Sequence, residues 1–304
     1  MNSPGIPPGP DTRRAFVGAL LRAAAALAAG GLTAGAKCAR REAEAGGTAL
    51  LPAGTRAIGV QLYTVRDLMA RDLPGTLAAL AAIGYTEVEF AGYFGQEPAQ
   101  LRALLARLGL AAPGVHQPLD ALRNTLDAVL AAAETIEHRY IVCPWLAESE
   151  RTADGYRRLA ADLDRIGRAC RDRGFQLGYH NHDFEFDPGV FPGTTPYDVL
   201  LAETDPELVT MELDLFWITR GGRDPLWYFE HHPGRFPLWH VKDMRDVAGA
   251  REMVSVGQGD IDFGRLFAAG ERAGLKHFFV EHDNPADSLA SVRASYEHLR
   301  RILR

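Results

Sequence analysis

Short apolar runs alternate with amphipathic stretches from Arg56 to the end of the chain, and this alternation constrains the fold more than any other feature. The apolar runs predict eight strands, at Ile58–Tyr63, Glu87–Ala91, Gly114–Gln117, Tyr140–Trp145, Gln176–His180, Val209–Leu215, Leu238–Val241 and His277–Glu281. A strand–helix unit repeated eight times over about 250 residues is typical of a (β/α)8 barrel, the TIM barrel. An open doubly wound sheet shows the same alternation, but the sequence has neither its Gly-x-Gly-x-x-Gly turn nor a Walker A motif. We therefore predict one α/β domain, a TIM barrel, over residues 56–304.

The stretches between the strands have helical periodicity. Leu159, Leu163, Ile166 and Cys170 are spaced by four, three and four residues, which places them on one face of a helix. The predicted helices include Leu73–Ile83, Pro98–Leu108, Leu119–Glu137 and Thr152–Arg173. Glycines at 84, 109, 174 and 274 stand between a helix and the next strand, the position at which a helix is commonly terminated.

The first 36 residues resemble a twin-arginine (Tat) export signal. Arg13 and Arg14 precede a mildly apolar, Ala-rich run that is interrupted only by Arg22 and ends in small residues. A membrane-spanning or amphipathic helix is the alternative, but Arg22 and the many Ala and Gly residues disfavour a stable span. A lipid anchor at Cys38 is a weaker alternative, since Lys37 stands where a lipobox has Gly or Ala. We expect Tat export to the periplasm or another extracytoplasmic space, no stable span in the mature form, and a linker over residues 37–55.

Charge and cysteine content indicate which kinds of ligand and which covalent cross-links are expected. The net charge is −6 and the sequence pI about 5.9, which disfavours the basic face that nucleic-acid binding needs. The three cysteines are odd in number and form no Cys-x-x-Cys pair, so a disulfide framework is not expected. A small-molecule ligand fits this balance, and a homo-oligomer remains open.

Four polar segments follow apolar runs in the second half of the chain. They are His180-Asn181-His182-Asp183-Phe184-Glu185, Glu212-Leu213-Asp214, His240-Val241-Lys242-Asp243 and Glu281-His282-Asp283. A buried strand that ends in such groups is costly unless they meet a metal, a partner or water. Because the carboxyl ends of barrel strands share one rim, the four segments predict one shared polar site.

Three of the residues in these segments, Asp214, His240 and Glu281, each end a different strand. A mixed set of oxygen and nitrogen ligands suits Mn²⁺, Mg²⁺, Co²⁺ or Zn²⁺. The fourth ligand is expected from the segment after the fifth strand, as His180 at the strand end or Glu185 beyond it. Taken singly, each residue could instead be a structural hydrogen-bond partner or a helix cap.

Further candidates for the rim come from the first four strands and from the segment after the sixth. They are predicted to bind substrate: Gln61, Glu89, His116, Trp145 and Trp217. The two tryptophans could stack on a ring of the ligand, and plain packing is the alternative for each.

Taken together, several motifs resemble the sugar phosphate isomerase/epimerase family, part of the xylose isomerase-like TIM barrel superfamily. They are Gly59-Val60-Gln61-Leu62-Tyr63, His180-Asn181-His182, Glu212-Leu213-Asp214, His240-Val241-Lys242-Asp243, Gly257-Gln258-Gly259-Asp260-Ile261-Asp262 and Val280-Glu281-His282. The resemblance covers residues 57–303. The superfamily includes ketose 3-epimerases, inosose dehydratase and 3-dehydroshikimate dehydratase, which share a scaffold across several reactions.

The resemblance implies a divalent metal held by a residue on strand five together with Asp214, His240 and Glu281. The strand-five ligand is usually Glu, and His180 stands at that place here, with Glu185 as the alternative. In the dehydratase branch a His two residues further on transfers protons, and His182 matches it. Ketose epimerases have a His where this chain has Trp217, which weighs against simple ketohexose epimerisation.

The chemistry that such ligands support begins at a carbonyl. A metal chelated by a substrate carbonyl and its neighbouring hydroxyl acidifies the α C–H and stabilises the enediolate. Glu281 and His182 are the predicted acid and base groups, while Glu185 and Lys242 are predicted to bind or polarise substrate. An ion pair with Asp243 or Asp246 is the alternative for Lys242.

The sequence thus predicts a metal-dependent isomerase or epimerase of a sugar, keto-sugar or cyclitol. A dehydratase using the same site is the alternative. An endonuclease IV-like enzyme is disfavoured by the acidic balance, and a non-catalytic carbohydrate-binding protein by the acid and base groups beside the metal ligands.

Overall fold

The computed structural model describes residues 57–303 of the chain. The predicted export signal, the linker and Cys38 lie outside these residues. Within the described range, none of the helices combines the length and the apolar composition needed to cross a membrane.

Eight parallel strands close into a barrel, which confirms the predicted fold. The strands of the described residues are β1 (Gly59–Gln61), β2 (Glu87–Ala91), β3 (Ala111–His116), β4 (Tyr140–Cys143), β5 (Gln176–His180), β6 (Val209–Asp214), β7 (Leu238–Val241), β8 (Asp243–Val247), β9 (Ala250–Val254) and β10 (His277–Val280). β1 pairs with both β2 and β10 and so closes the barrel, while β8 and β9 form a separate antiparallel hairpin.

Helices follow the barrel strands along the chain. They are α1 (Arg66–Arg71), α2 (Leu73–Ile83), α3 (Pro98–Leu108), α4 (Leu119–Asn124), α5 (Leu126–Ile136), α6 (Ala153–Asp172), α7 (Pro196–Glu203), α8 (Leu215–Arg220), α9 (Pro225–His231), α10 (Phe263–Ala268), α11 (Gly270–Ala273) and α12 (Ser288–Ile302). Short 3₁₀ helices lie at Leu62–Val65, Glu148–Glu150 and Phe184–Phe186.

The longest helix, α6, has the face that its periodicity predicts. Leu159, Leu163, Ile166 and Cys170 are fully buried, and burial of each large apolar side chain contributes about 1.5–3 kcal/mol. The Thr152 side chain accepts a hydrogen bond from the Gly155 N–H and caps the start of the helix. Together these contacts hold α6 against β5 and β6 of the barrel wall.

The single helix predicted over Leu119–Glu137 is two helices, α4 and α5. They are separated at Thr125, whose backbone leaves the helical region (φ −134°, ψ 33°). Asn124 and Thr125 are both poor helix formers, which allows the break at this point. Elsewhere the predicted strand and helix bounds agree with the structure to within a few residues, the largest shift being the start of β3 at Ala111.

The β8–β9 hairpin was not predicted, because its first strand is a charged, largely exposed segment without strand-like alternation. It begins at Asp243, which is buried and accepts hydrogen bonds from the backbone N–H groups of Gly257 and Gly259 at 2.8 and 2.9 Å. A Cβ at position 259 would lie 2.3 Å from Asp243 Oδ1, so this loop requires glycine there. Asp243 therefore ties the hairpin to the loop that precedes α10.

Candidate metal centre and cavity

Four side chains from the carboxyl ends of neighbouring strands converge inside the rim of the barrel. They form what we call the upper layer: His180 from β5, Asp214 from β6, His240 from β7 and Glu281, which follows β10. One ligand atom from each lies within 4.8 Å of the others, and none of the four residues is more than 5% exposed. The four residues that the sequence selected as metal ligands are therefore adjacent in space.

The position of His180 indicates which ring nitrogen can bind a metal. Its Nδ1 lies 3.3 Å from the carbonyl oxygen of Pro144, which would accept the hydrogen of that nitrogen and leave Nε2 free to bind a metal. Burial is the main cause that lowers the pKa of His180, so the ring is neutral near pH 7. In that tautomer Nε2 faces Asp214 Oδ2 at 3.2 Å. Two lone pairs at this distance can bind one metal ion together.

His240 presents one ring nitrogen to the upper layer and the other to the barrel interior. Its Nδ1 lies 2.6 Å from Glu281 Oε2 and 4.0 Å from Asp214 Oδ2. Despite that proximity, neither Nδ1 nor Glu281 Oε2 has a well-oriented hydrogen bond to any group in the described part of the chain. Buried polar atoms are almost always paired, so these two atoms are suited to share a metal ion.

Lys242 supplies positive charge next to the same carboxylates. It is 1% exposed, and its Nζ lies 3.0 Å from Asp214 Oδ2, 2.8 Å from Glu281 Oε2 and 2.8 Å from Asp283 Oδ1. Burial alone would lower the pKa of Lys242, but these carboxylates raise it well above its ordinary value, so the ammonium is charged. The alternative ion pairs of Lys242 with Asp243 or Asp246 do not occur in this structure.

The carboxylates of the upper layer remain ionised. Burial favours their neutral forms, but the charge of the Lys242 ammonium opposes it, and the pKa of both Asp214 and Glu281 is lowered. Two carboxylates and two imidazoles at one point match the ligands of the first-row divalent metals and Mg²⁺ that the sequence suggested. The residues present therefore fit a divalent metal.

Glu185 lies away from the upper layer. Its Oε1 accepts a hydrogen bond from the Tyr179 hydroxyl at 2.6 Å, and its Oε2 accepts one from the His182 N–H at 2.8 Å. The side chain is fully buried, and burial raises its pKa to about 7. Glu185 thus orders the turn that carries His182, and the geometry favours His180 over Glu185 as the fourth ligand. Glu185 was also predicted to bind or polarise substrate, but its side chain does not line the cavity.

A cavity of about 780 Å³ opens above the upper layer. Its lining comes from the ends of most barrel strands: Tyr63, Ala91, Gly92, His116, Pro118, Pro144, Trp145, Arg151, His180, His182, Asp183, Phe184, Trp217, Lys242, Glu281, Asp283 and Asn284. Trp145 and Tyr63 are 48% and 42% exposed at its wall.

His182 stands in an aromatic wall of this cavity. Its ring stacks on Phe184 at 5.4 Å, meets Trp145 edge-on at 4.6 Å and lies 5.3 Å from Trp217, all between ring centroids. Burial lowers its pKa well below the ordinary value, and its Nδ1 has no hydrogen-bond partner within residues 57–303. The ring is therefore neutral, as a general base must be before it takes a proton, and its unpaired Nδ1 is buried at the cavity wall.

Two of the predicted substrate-binding residues lie deeper than expected. Gln61 and Glu89 are fully buried below the upper layer and do not line the cavity. His116 lines the cavity but reaches down to Glu89 and to Glu212, at 3.3 and 2.7 Å. We call Gln61, Glu89, His116 and Glu212 the lower layer.

The family model of the xylose isomerase-like TIM barrel matches residues 77–302. The chain belongs to this family. Inosose dehydratase of Lacticaseibacillus casei is 33% identical over 144 residues, which cover 42% of this chain and 47% of that protein. The match thus spans about half the length of that relative.

Solved structures of other xylose isomerase-like barrels share the fold. A sugar phosphate isomerase/epimerase from Parabacteroides distasonis superposes with a TM-score of 0.72 at 22% identity, over 82% of this chain and all of that one. The IOLI protein, whose structure is described with a binding zinc atom, superposes with a TM-score of 0.64 at 15% identity, over 82% and 98%. At these identities the likeness concerns the fold alone.

Asp283 and Glu212 belong to the segments predicted to form the shared polar site, but neither was given a role of its own, and Arg151 was not predicted. Asp283 has the same strand parity as Glu281, so its inward position beside Lys242 could have been predicted. Glu212 has the parity of Asp214 and could likewise have been assigned to the interior. Arg151 has a guanidinium that lies 3.4 Å from the ring centroid of Phe184. It follows a loop, so no strand parity predicts its position.

Proposed function

We propose that this protein is a divalent-metal-dependent isomerase or epimerase of a sugar, keto-sugar or cyclitol. The observation that carries the proposal is the convergence of the four upper-layer ligand atoms on the floor of a cavity whose wall holds His182. A bound divalent metal would supply Lewis-acid polarisation of the substrate carbonyl and its neighbouring hydroxyl. The candidate metals are Mn²⁺, Mg²⁺, Co²⁺ and Zn²⁺, and the IOLI protein, which shares the fold, is described with a binding zinc atom.

The residues around the metal site have separate roles in the proposed reaction. His182, neutral and unpaired, accepts the proton from the carbon next to the carbonyl. The Lys242 ammonium stabilises the negative charge that develops on the substrate oxygens, in a site where it is held by three carboxylates. The aromatic wall limits the access of water and offers ring faces on which a sugar can stack.

Dehydration is the second candidate, because it begins with the same proton abstraction. The curated relative named above is an inosose dehydratase, and His182 occupies the place implied for proton transfer in that branch. Trp217 in place of the epimerase histidine also favours this route. After abstraction, loss of a β-hydroxyl gives a dehydrated product, whereas return of the proton gives an isomer or epimer.

Deuterium labelling separates the two reactions. The Mn²⁺-loaded protein is incubated in D₂O with unphosphorylated ketoses and inososes, and the products are followed by NMR. An isomerase or epimerase is expected to incorporate deuterium at the α carbon and yield a product of unchanged composition, while a dehydratase yields a product lacking one water. Tight binding of these compounds with neither exchange nor conversion would contradict both and would indicate a carbohydrate-binding protein.

We further propose that the protein is exported through the Tat pathway and acts on unphosphorylated substrates. The support is the Arg13-Arg14 pair followed by a mildly apolar run. Replacing Arg13 and Arg14 together by Lys is expected to retain the precursor in the cytoplasm, as measured by fractionation and immunoblotting. Replacing Arg40 and Arg41 by Lys, a pair just beyond the predicted signal, is expected to leave export unchanged. Normal export of the Arg13→Lys/Arg14→Lys variant would refute the Tat assignment.

A further inference from the structure

The lower layer is a buried group of hydrogen-bonded side chains directly beneath the candidate metal site. Gln61 Nε2 donates to Glu89 Oε2 at 2.8 Å, and His116 Nε2 lies 2.7 Å from Glu212 Oε2. Glu89 and Glu212 are fully buried, and each would be costly there without such partners. No catalytic step proposed above uses either carboxylate.

The His240 ring joins the two layers. Its Nδ1 faces Glu281 in the upper layer, whereas its Nε2 lies 2.7 Å from Glu89 Oε2 and 3.1 Å from Glu212 Oε2. Ionised carboxylates, which can only accept hydrogen bonds, thus face both ring nitrogens. A metal ion held by the upper layer would take the place of a hydrogen on Nδ1, and Nε2 would then carry the hydrogen that is directed at Glu89 and Glu212.

Two further contacts fix this arrangement. His116 stacks on His240 with ring centroids 5.2 Å apart and an interplanar angle of 11°, which restricts rotation of the His240 ring. The Glu89 carboxylate fits only because position 114 on β3 is glycine, since a Cβ there would lie 2.5 Å from Glu89 Oε1. The lack of a side chain at this position of β3 thus leaves the space that the Glu89 carboxylate occupies.

We propose that Glu89 and Glu212 are positioning residues that hold His240 in the Nε2–H tautomer and aim its Nδ1 at the metal. The proposal rests on metal binding by the upper layer, which is part of the proposed function. A carboxylate behind a metal-bound histidine fixes the ring and increases its basicity, and loss of such a partner typically weakens metal binding by 10–100-fold. The lower layer would then set metal affinity without contacting substrate.

Metal titration of four variants tests the proposal. Metal-free wild-type protein and the variants Glu89→Gln, Glu212→Gln, Gly114→Ala and Gly178→Ala are titrated with Mn²⁺ by calorimetry, and urea unfolding verifies that each is folded. Gly114→Ala keeps both charges but displaces the Glu89 carboxylate. Gly178→Ala is the matched control on β5, because a Cβ there would meet Val142 and Thr210 rather than the network.

The wild type is expected to bind one Mn²⁺ per chain, and the first three variants are expected to raise the dissociation constant by about 10–100-fold. Gly178→Ala is expected to bind as the wild type does. In the Zn²⁺ form, ¹⁵N NMR of the imidazoles is expected to show His240 protonated at Nε2. A network with only a structural role would not fix the protonated nitrogen of His240.

Three results would overturn the proposal, and they are distinguishable. Folded Glu89→Gln and Glu212→Gln variants with wild-type affinity would show that the lower layer does not position His240. A second Mn²⁺ equivalent that these variants lose would make the lower layer a metal site of its own. A wild type that binds no Mn²⁺, Co²⁺ or Zn²⁺ would instead refute the proposed function itself.

Discussion

Removal of the divalent metal is expected to abolish turnover, and Glu281→Gln is expected to lower kcat/KM by about 10³-fold or more. Glu281 shares its Oε2 between the metal position and Lys242, and the substitution removes the charge from both contacts. A bound metal contributes several kcal/mol of transition-state stabilisation, and each 1.36 kcal/mol corresponds to a factor of ten in rate. The measurement is turnover of the best substrate found by NMR, before and after chelation, and after Mn²⁺ is restored.

A matched glutamate offers the control for this experiment. Glu87 starts β2 at the opposite end of the barrel, where its carboxylate lies 2.9 Å from His277 Nδ1. Glu87→Gln is therefore expected to leave turnover and metal affinity unchanged. Full activity of a metal-free preparation, or of Glu281→Gln, would contradict the assignment of Glu281 to the metal.

His182→Gln is expected to lower kcat by about 10²–10⁴-fold, the usual contribution of a general acid or base. The metal affinity is expected to stay at the wild-type value, because His182 is not one of the four upper-layer ligands. Exchange of the α-proton with D₂O should fall in parallel with turnover, since both begin with the same abstraction. Gln has a similar length and can still form hydrogen bonds, so the aromatic wall is expected to persist.

His231→Gln is the control for the His182 variant. His231 lies on α9, is exposed and stacks on Trp227, and does not line the cavity. A folded His182→Gln enzyme that keeps more than about a tenth of the wild-type rate would show that another group takes the proton. Glu281 or Lys242 would then be the next candidate to examine.

The fold was predictable because strand and helix periodicities alternate without long interruptions. Barrel strands buried on both faces read as short apolar runs, and glycines mark the return from helix to strand. The hairpin of β8 and β9 was not predicted, because its charged segments lack an apolar pattern. They are held in place by Asp243 and by pairing between the two strands. Sequence periodicity does not record such contacts.

The ligands of the upper layer could be predicted because they end their strands. Parity then places every second residue inside the barrel, but it does not give depth. Gln61 and Glu89 were expected at the rim, yet the register of β1 on β2 pairs them with each other one layer lower. The choice between His180 and Glu185 also needed the structure, since it depends on a turn in which Glu185 folds back onto the Tyr179 hydroxyl.

The central claim is that His180, Asp214, His240 and Glu281 hold one divalent metal, and anomalous diffraction from a Mn²⁺-soaked crystal tests it most directly. The account predicts one strong peak per chain, about 2.0–2.3 Å from His180 Nε2, Asp214 Oδ2, His240 Nδ1 and Glu281 Oε2. A peak bound by Glu185, a peak confined to the lower layer, or no peak at a saturating Mn²⁺ concentration would contradict it.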